Sequence, residues 1–178
     1  MIRWVPNALS AARLLVSPYL CVLLWRGQYR TALVVLLLAA LTDGLDGYFA
    51  RLLKVQSRVG EVLDPIADKV LMGGAFLTLA LSGPIEHWLA VVVVGRDVLI
   101  LLVAAGALAL GSAARRFPPS IWGKLSTGFQ IAFVVALMGA LAGLLPSFPA
   151  EVLKWATAAM TIWSGADYAI RAFRQPVS

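Results

Sequence analysis

Asp43, Asp46, Asp64 and Asp68 are the side chains in this sequence best suited to chemistry. Residues three or four apart share a helix face, so Asp43, Asp46, Gly47 and Ala50 form one stripe, and Gly60, Asp64 and Asp68 form another. If the two carrying helices are antiparallel neighbours, a rise of about 1.5 Å per residue places Asp43 and Asp68 about 12 Å inside the helix ends. Asp46 and Asp64 then sit nearer the surface, level with each other. Four carboxylates converging in one cavity repel, and they shift toward protonation unless something cationic holds them ionised. Oxygen-only ligands select a hard ion such as Mg²⁺ or Mn²⁺. Gly47 and Gly60 remove side chains beside the acids and let a ligand approach the backbone. The competing arrangement pairs the acids with Arg51, Arg58, Lys69 and Arg96 as buried salt bridges, a costly use of four acids at these spacings.

The elements that must position these acids are apolar. The chain has 178 residues, of which 61% are hydrophobic and 13% charged, which excludes an ordinary water-soluble domain. Apolar runs fall near residues 8–25, 31–53, 60–82, 87–110, 121–145 and 151–173. About 20 such residues cross a bilayer as a helix, so the pattern predicts an all-α integral membrane protein with a bundle of six transmembrane helices. Residues 1–8, with Trp4, fit a short interfacial helix. Turn residues such as Arg26-Gly27-Gln28 and Ser82-Gly83-Pro84 separate the runs. No fixed-period repeat interrupts them, so residues 1–178 read as a single domain.

Lys and Arg alternate between connections. Arg3, Arg51, Lys54, Arg58, Arg115, Arg116, Lys124, Arg171 and Arg174 fall on one side, against Arg26, Arg30 and Lys154 on the other. Positive loops stay cytoplasmic, which predicts both termini and the acids near that face. The net charge of +6 then points to anionic lipid headgroups and not to nucleic acid. Cys21 is the single cysteine and reads as packing. Gly73 and Gly74 read as close helix contacts, Trp122 and Trp155 as interface markers, and Asn7 and Ser10 as caps of the first helix. Asp167 is placed to pair with Arg171 one turn on.

The segment DGLDGYFARLLKVQSRVGEVLDPIAD, residues 43–68, resembles the motif of the CDP-alcohol phosphatidyltransferases, D-x2-D-G-x2-A-R-x8-G-x3-D-x3-D, at every fixed position. The resemblance implies a six-helix membrane fold and a homodimer. It implies two metal ions held by Asp43, Asp46, Asp64 and Asp68, and CDP-diacylglycerol bound near Gly47, Ala50, Arg51 and Gly60. Asp68 would take the proton of an acceptor alcohol, whose oxygen attacks the lipid-linked phosphorus as CMP leaves. The lone His87 leaves no histidine nucleophile on that side. The implied location is a bacterial cell membrane or the mitochondrial inner membrane, with the site facing cytoplasm or matrix.

Segments outside the motif, VPNALSAAR, VGRDVLI and GKLSTGFQ, look most like cardiolipin synthases of this family, which use phosphatidylglycerol as acceptor. The related phosphatidylglycerophosphate synthases, which use glycerol 3-phosphate, share Asn7, Arg13, the stretch Asp64 to Lys69 and Gly123-Lys124. Both acceptors are anionic, and Arg96, Lys124 and Arg116 are the cations expected to meet them. Asp97 beside Arg96 tilts the balance toward a singly charged lipid. An ion transporter is the rival class, since intramembrane acids also mark ion pathways. The clustering of the acids near one face, and the absence of paired broken helices, count against it.

Overall fold

Each apolar run becomes one helix in the computed structural model, which describes the backbone of residues 5–53, 58–109 and 120–174. Side chains are described for residues 14–42, 67, 69–102 and 120–171. The helices are α1 (Val5–Trp25), α2 (Tyr29–Leu53), α3 (Arg58–Leu81), α4 (His87–Ala109), α5 (Ile121–Leu141) and α6 (Phe148–Arg174). Among the described residues there are no strands.

Glycine in the left-handed region sets two of the helix ends. Gly27 has φ 67°, and α1 closes as the Gln28 N–H donates to the Leu23 carbonyl at 2.9 Å. Gly143 has φ 71°, and α5 closes the same way, Leu144 donating to Gly139 at 2.8 Å. This double turn satisfies carbonyls that the helix end leaves unpaired, and only glycine enters it without steric cost. It also shortens the last-but-one run: α5 ends at Leu141, not near residue 145. Arg30 caps the same end through its Nε–H to the Ala142 carbonyl, 3.1 Å away. At the other extreme, α1 already runs from Val5, so Asn7 and Ser10 lie inside the helix and do not cap it. Pro6 suits that first turn because its missing N–H would be unpaired there anyway. Residues 5–8 continue into α1 and make no separate interfacial helix; residues 1–4 lie outside the described residues.

The helices do not pack in chain order. α1 packs against both α2 and α3, α5 against both α2 and α6, and α4 between α3 and α6. Among the described residues α2 and α3 share no contact, and the acid-bearing segments expected to be neighbours lie outside the side chains described. Gly74, which has no side chain, explains part of the α1–α3 packing: a Cβ there would come within 3.1 Å of Cys21 Sγ, so α1 and α3 approach closely at that point. Gly73 faces open space and serves no such contact. Leu20, Leu24, Phe76, Leu79, Leu89 and Phe133 form the centre of the core, with the Phe76 and Phe133 rings 5.9 Å apart.

Polarity is inverted relative to a water-soluble bundle. Leu15, Val91, Ile121 and Trp163 face outward, whereas Ser126, Gln130, Thr157, Thr161 and Ser164 are buried. The buried polar groups bond to one another along the α5–α6 seam: Ser126 Oγ meets Thr161 Oγ1 at 3.2 Å, Gln130 Nε2 donates to Thr161 at 3.2 Å, and Thr157 donates to the Phe129 carbonyl at 3.0 Å. Among the described residues, α5 is the helix long and apolar enough to cross a membrane, and Leu14–Trp25, Tyr29–Thr42 and Lys69–Leu81 are shorter apolar stretches.

Candidate active site

The backbone places Asp43 and Asp46 in the second half of α2, and Asp64 and Asp68 in the first half of α3. Only residues 54–57 join the two helices, so Leu53 and Arg58 lie within about 18 Å of each other at full extension. The two acid-bearing segments are therefore tied to the same end of the bundle. The side chains of Asp43, Asp46, Gly47, Ala50, Arg51, Gly60, Asp64 and Asp68 lie outside the described residues, as does Arg116 altogether. Among the described residues no group of three His, Cys, Asp or Glu side chains is placed to hold a metal ion.

Lys69, one residue beyond Asp68, belongs to an ionic cluster inside the bundle. Asp97 Oδ1 accepts from Lys69 Nζ at 2.8 Å and from Arg96 Nη1 at 2.6 Å, joining α3 to α4 through one oxygen. Arg96 Nη2 donates to Ser164 Oγ at 2.6 Å, which extends the cluster to α6. The guanidinium also lies over the Tyr168 ring, 5.8 Å from its centroid. Arg96 and Asp97 are only 8% and 9% exposed, so this is an ionic group inside the bundle. Among the described residues, two cations and one carboxylate leave one net positive charge there, and the buried Nε–H of Arg96 has no partner. An unpaired buried donor costs about 1–3 kcal/mol, a cost that an anionic or carbonyl oxygen bound there would relieve.

Surrounding elements hold this cluster in place. Ser120, at the start of α5, donates its hydroxyl to Asp167 Oδ2 at 2.6 Å, and its N–H donates to the Tyr168 hydroxyl at 3.3 Å. Asp167 also accepts from Arg171 Nε at 3.0 Å, the expected one-turn pair. Gly123 lies against the same group, since a Cβ there would stand 3.2 Å from Arg96 Nη2.

Of the three cations expected to meet the acceptor, the structure brings Arg96 into the cluster and leaves Lys124 exposed on α5. Lys69 and Arg96, offered as salt-bridge partners for the four acids, are both engaged by Asp97. Sequence reasoning missed Ser164 and Tyr168. Their signal was present as a polar stripe, Thr157, Thr161, Ser164 and Tyr168, at spacings of four, three and four on α6.

At the opposite end, Lys154 bridges Glu86 at 2.9 Å and Glu151 at 2.7 Å. The Lys154 ammonium holds the Glu86 carboxyl below its ordinary range. Trp88 and Trp155 stack beside it with centroids 5.6 Å apart, and both are exposed.

The chain is 34% identical over 184 residues to the CDP-diacylglycerol–glycerol-3-phosphate 3-phosphatidyltransferase of Aquifex aeolicus, covering 96% of each protein. It is 32% identical over 154 residues to a probable cardiolipin synthase (CMP-forming) of Drosophila melanogaster, covering 78% of this chain and 48% of that one. A probable phosphatidylglycerophosphate synthase of Mycobacterium tuberculosis is 30% identical over 174 residues, with 94% and 81% covered. The model of the CDP-alcohol phosphatidyltransferase family matches residues 3–163, which takes in both acid pairs and the Lys69–Arg96–Asp97 cluster. The chain therefore belongs to the CDP-alcohol phosphatidyltransferase family.

Proposed function

We propose that this enzyme is a membrane-embedded cardiolipin synthase, which transfers the phosphatidyl group of CDP-diacylglycerol to phosphatidylglycerol and releases CMP. The inverted polarity of the bundle supports the membrane setting, with six crossings and the acids near the cytoplasmic or matrix face: apolar side chains turn outward and polar ones pair inside. The family resemblance supports a homodimer.

The observation that carries the acceptor is the oxygen shared at Asp97. Because Asp97 Oδ1 takes both Lys69 and Arg96, the cluster offers one net positive charge and one free guanidinium donor. That matches a phosphodiester better than the near-dianion of glycerol 3-phosphate, which favours several convergent cations.

Asp43, Asp46, Asp64 and Asp68 would hold two Mg²⁺ or Mn²⁺ ions, since an all-carboxylate donor set on neighbouring helix turns suits hard ions. When bound, the ions supply charge neutralisation on the diphosphate and a clamp on the entering and leaving oxygens. Gly47, Ala50, Arg51 and Gly60 line the CDP-lipid beside them. Asp68 takes the proton of the acceptor hydroxyl. The freed oxygen forms a bond to the lipid-linked phosphorus, and the bond from that phosphorus to the bridging diphosphate oxygen breaks, carrying the electron pair away with CMP. Arg96 holds the acceptor phosphate during the attack, and Lys124 and Arg116 draw it in.

A second reading, phosphatidylglycerophosphate synthase, is favoured by the full-length match to the Aquifex aeolicus protein. Radiolabelled phosphatidylglycerol and glycerol 3-phosphate, supplied at equal concentration in mixed micelles with CDP-diacylglycerol, separate the two. Cardiolipin and CMP are the expected products. Robust phosphatidylglycerophosphate with no cardiolipin installs the second reading.

A further inference from the structure

A guanidinium presents its five N–H donors in one plane, so what a ligand meets depends on how the protein turns that plane. In Arg96, Nη1 is held by Asp97 and Nη2 by Ser164, while Nε–H is buried and unpartnered. Ser164 is fully buried and accepts from Arg96, which leaves its own hydroxyl hydrogen for donation. Two donors from α4 and α6 thus stand together. Packing fixes their direction from two further sides. The Tyr168 ring lies against the guanidinium. A Cβ at Gly123 would stand 3.2 Å from Arg96 Nη2 and 3.3 Å from the Tyr168 ring, tighter than an ordinary contact, so a larger residue there must push the guanidinium or the ring aside by a few tenths of an ångström.

We propose that Gly123, Ser164 and Tyr168 are positioning residues, forming a socket that aims the free Nε–H of Arg96, with the Ser164 hydroxyl beside it, at a phosphate oxygen of the acceptor. This rests on the reading of Arg96 as the acceptor's phosphate ligand. The socket acts on one substrate: it sets acceptor affinity and leaves the nucleotide end alone.

The test uses the full-length enzyme in mixed micelles, with KM for each substrate, kcat and melting temperature measured for Gly123→Ala, Ser164→Ala, Ser164→Thr, Tyr168→Phe and Arg96→Ala. Losing a hydrogen bond to a charged group corresponds to about tenfold or more in affinity. Gly123→Ala and Ser164→Ala should therefore each raise the acceptor KM about tenfold, with the KM for CDP-diacylglycerol held within about twofold. Ser164→Thr restores the hydroxyl and should recover most of the loss, and Tyr168→Phe keeps the ring face and should change little. Equal increases in both KM values, or a lowered melting temperature with both KM values unchanged, would overturn the socket as mere helix packing. If Arg96→Ala raises the acceptor KM while the Gly123 and Ser164 variants do not, the socket fails and the acceptor reading survives. An unchanged acceptor KM in Arg96→Ala removes both.

Discussion

A carboxylate that holds two cations through one oxygen cannot be neutralised without consequence. Replacing Asp97 with Asn leaves Lys69 and Arg96 uncompensated inside the bundle, and removing one partner of a buried pair costs about 3–5 kcal/mol. The same change raises the local positive charge, so Asp97→Asn should shift acceptor preference toward glycerol 3-phosphate by about tenfold, read as a ratio of kcat/KM values. Unaltered preference in a folded variant would separate Asp97 from acceptor choice. Asp68 has two proposed roles, metal ligand and proton acceptor, and with the ions held by Asp43, Asp46 and Asp64 its replacement removes chiefly the second. Asp68→Asn should lower kcat by about 10²–10⁴-fold while CDP-lipid binding, measured by calorimetry, largely persists. Binding lost in step with rate would make Asp68 chiefly a metal ligand.

At the scale of the helix, left-handed glycines and the far-end ion pairs decide where elements stop and how they are joined. Gly143→Ala forces a Cβ into a left-handed turn, at a cost of about 1–2 kcal/mol, and should lower the melting temperature without changing either KM. The Lys154–Glu86 bridge has a pH signature. Glu86 is held below its ordinary value of 4.5 in the fold, so its contribution is complete above that value and disappears as pH falls through the lower folded one. Because Glu86 is half exposed, the effect is small, under about 1 kcal/mol. The melting-temperature gap between the native chain and Lys154→Met should narrow on acidification; a gap independent of pH would deny the bridge any part in stability. The existence and approximate bounds of all six helices were legible from apolar run length, and the acid pairs from their spacing. The neighbour relations were not, because no local pattern in α1 says that it packs against α3 as well as α2. Nor could the Lys69–Asp97–Arg96–Ser164 chain be read, since its members are 28 and 68 residues apart in sequence and meet only through packing.

For the whole molecule, the sharpest expectation is metal dependence. Activity should vanish on chelation with EDTA and return with Mg²⁺ or Mn²⁺, because four unneutralised carboxylates repel any diphosphate brought among them. Full turnover in excess chelator would dismiss the metal site. The packing order carries a different consequence, for how the molecule is made. α5 and α6 are adjacent in sequence and can close as a hairpin along their polar seam once both exist. The contact of α1 with α3 skips a helix. During synthesis the first helix must wait, unpaired on that face, until the third has emerged, and α4 must likewise wait for α6, so both the acid-bearing end and the Arg96 cluster assemble through contacts that skip a helix.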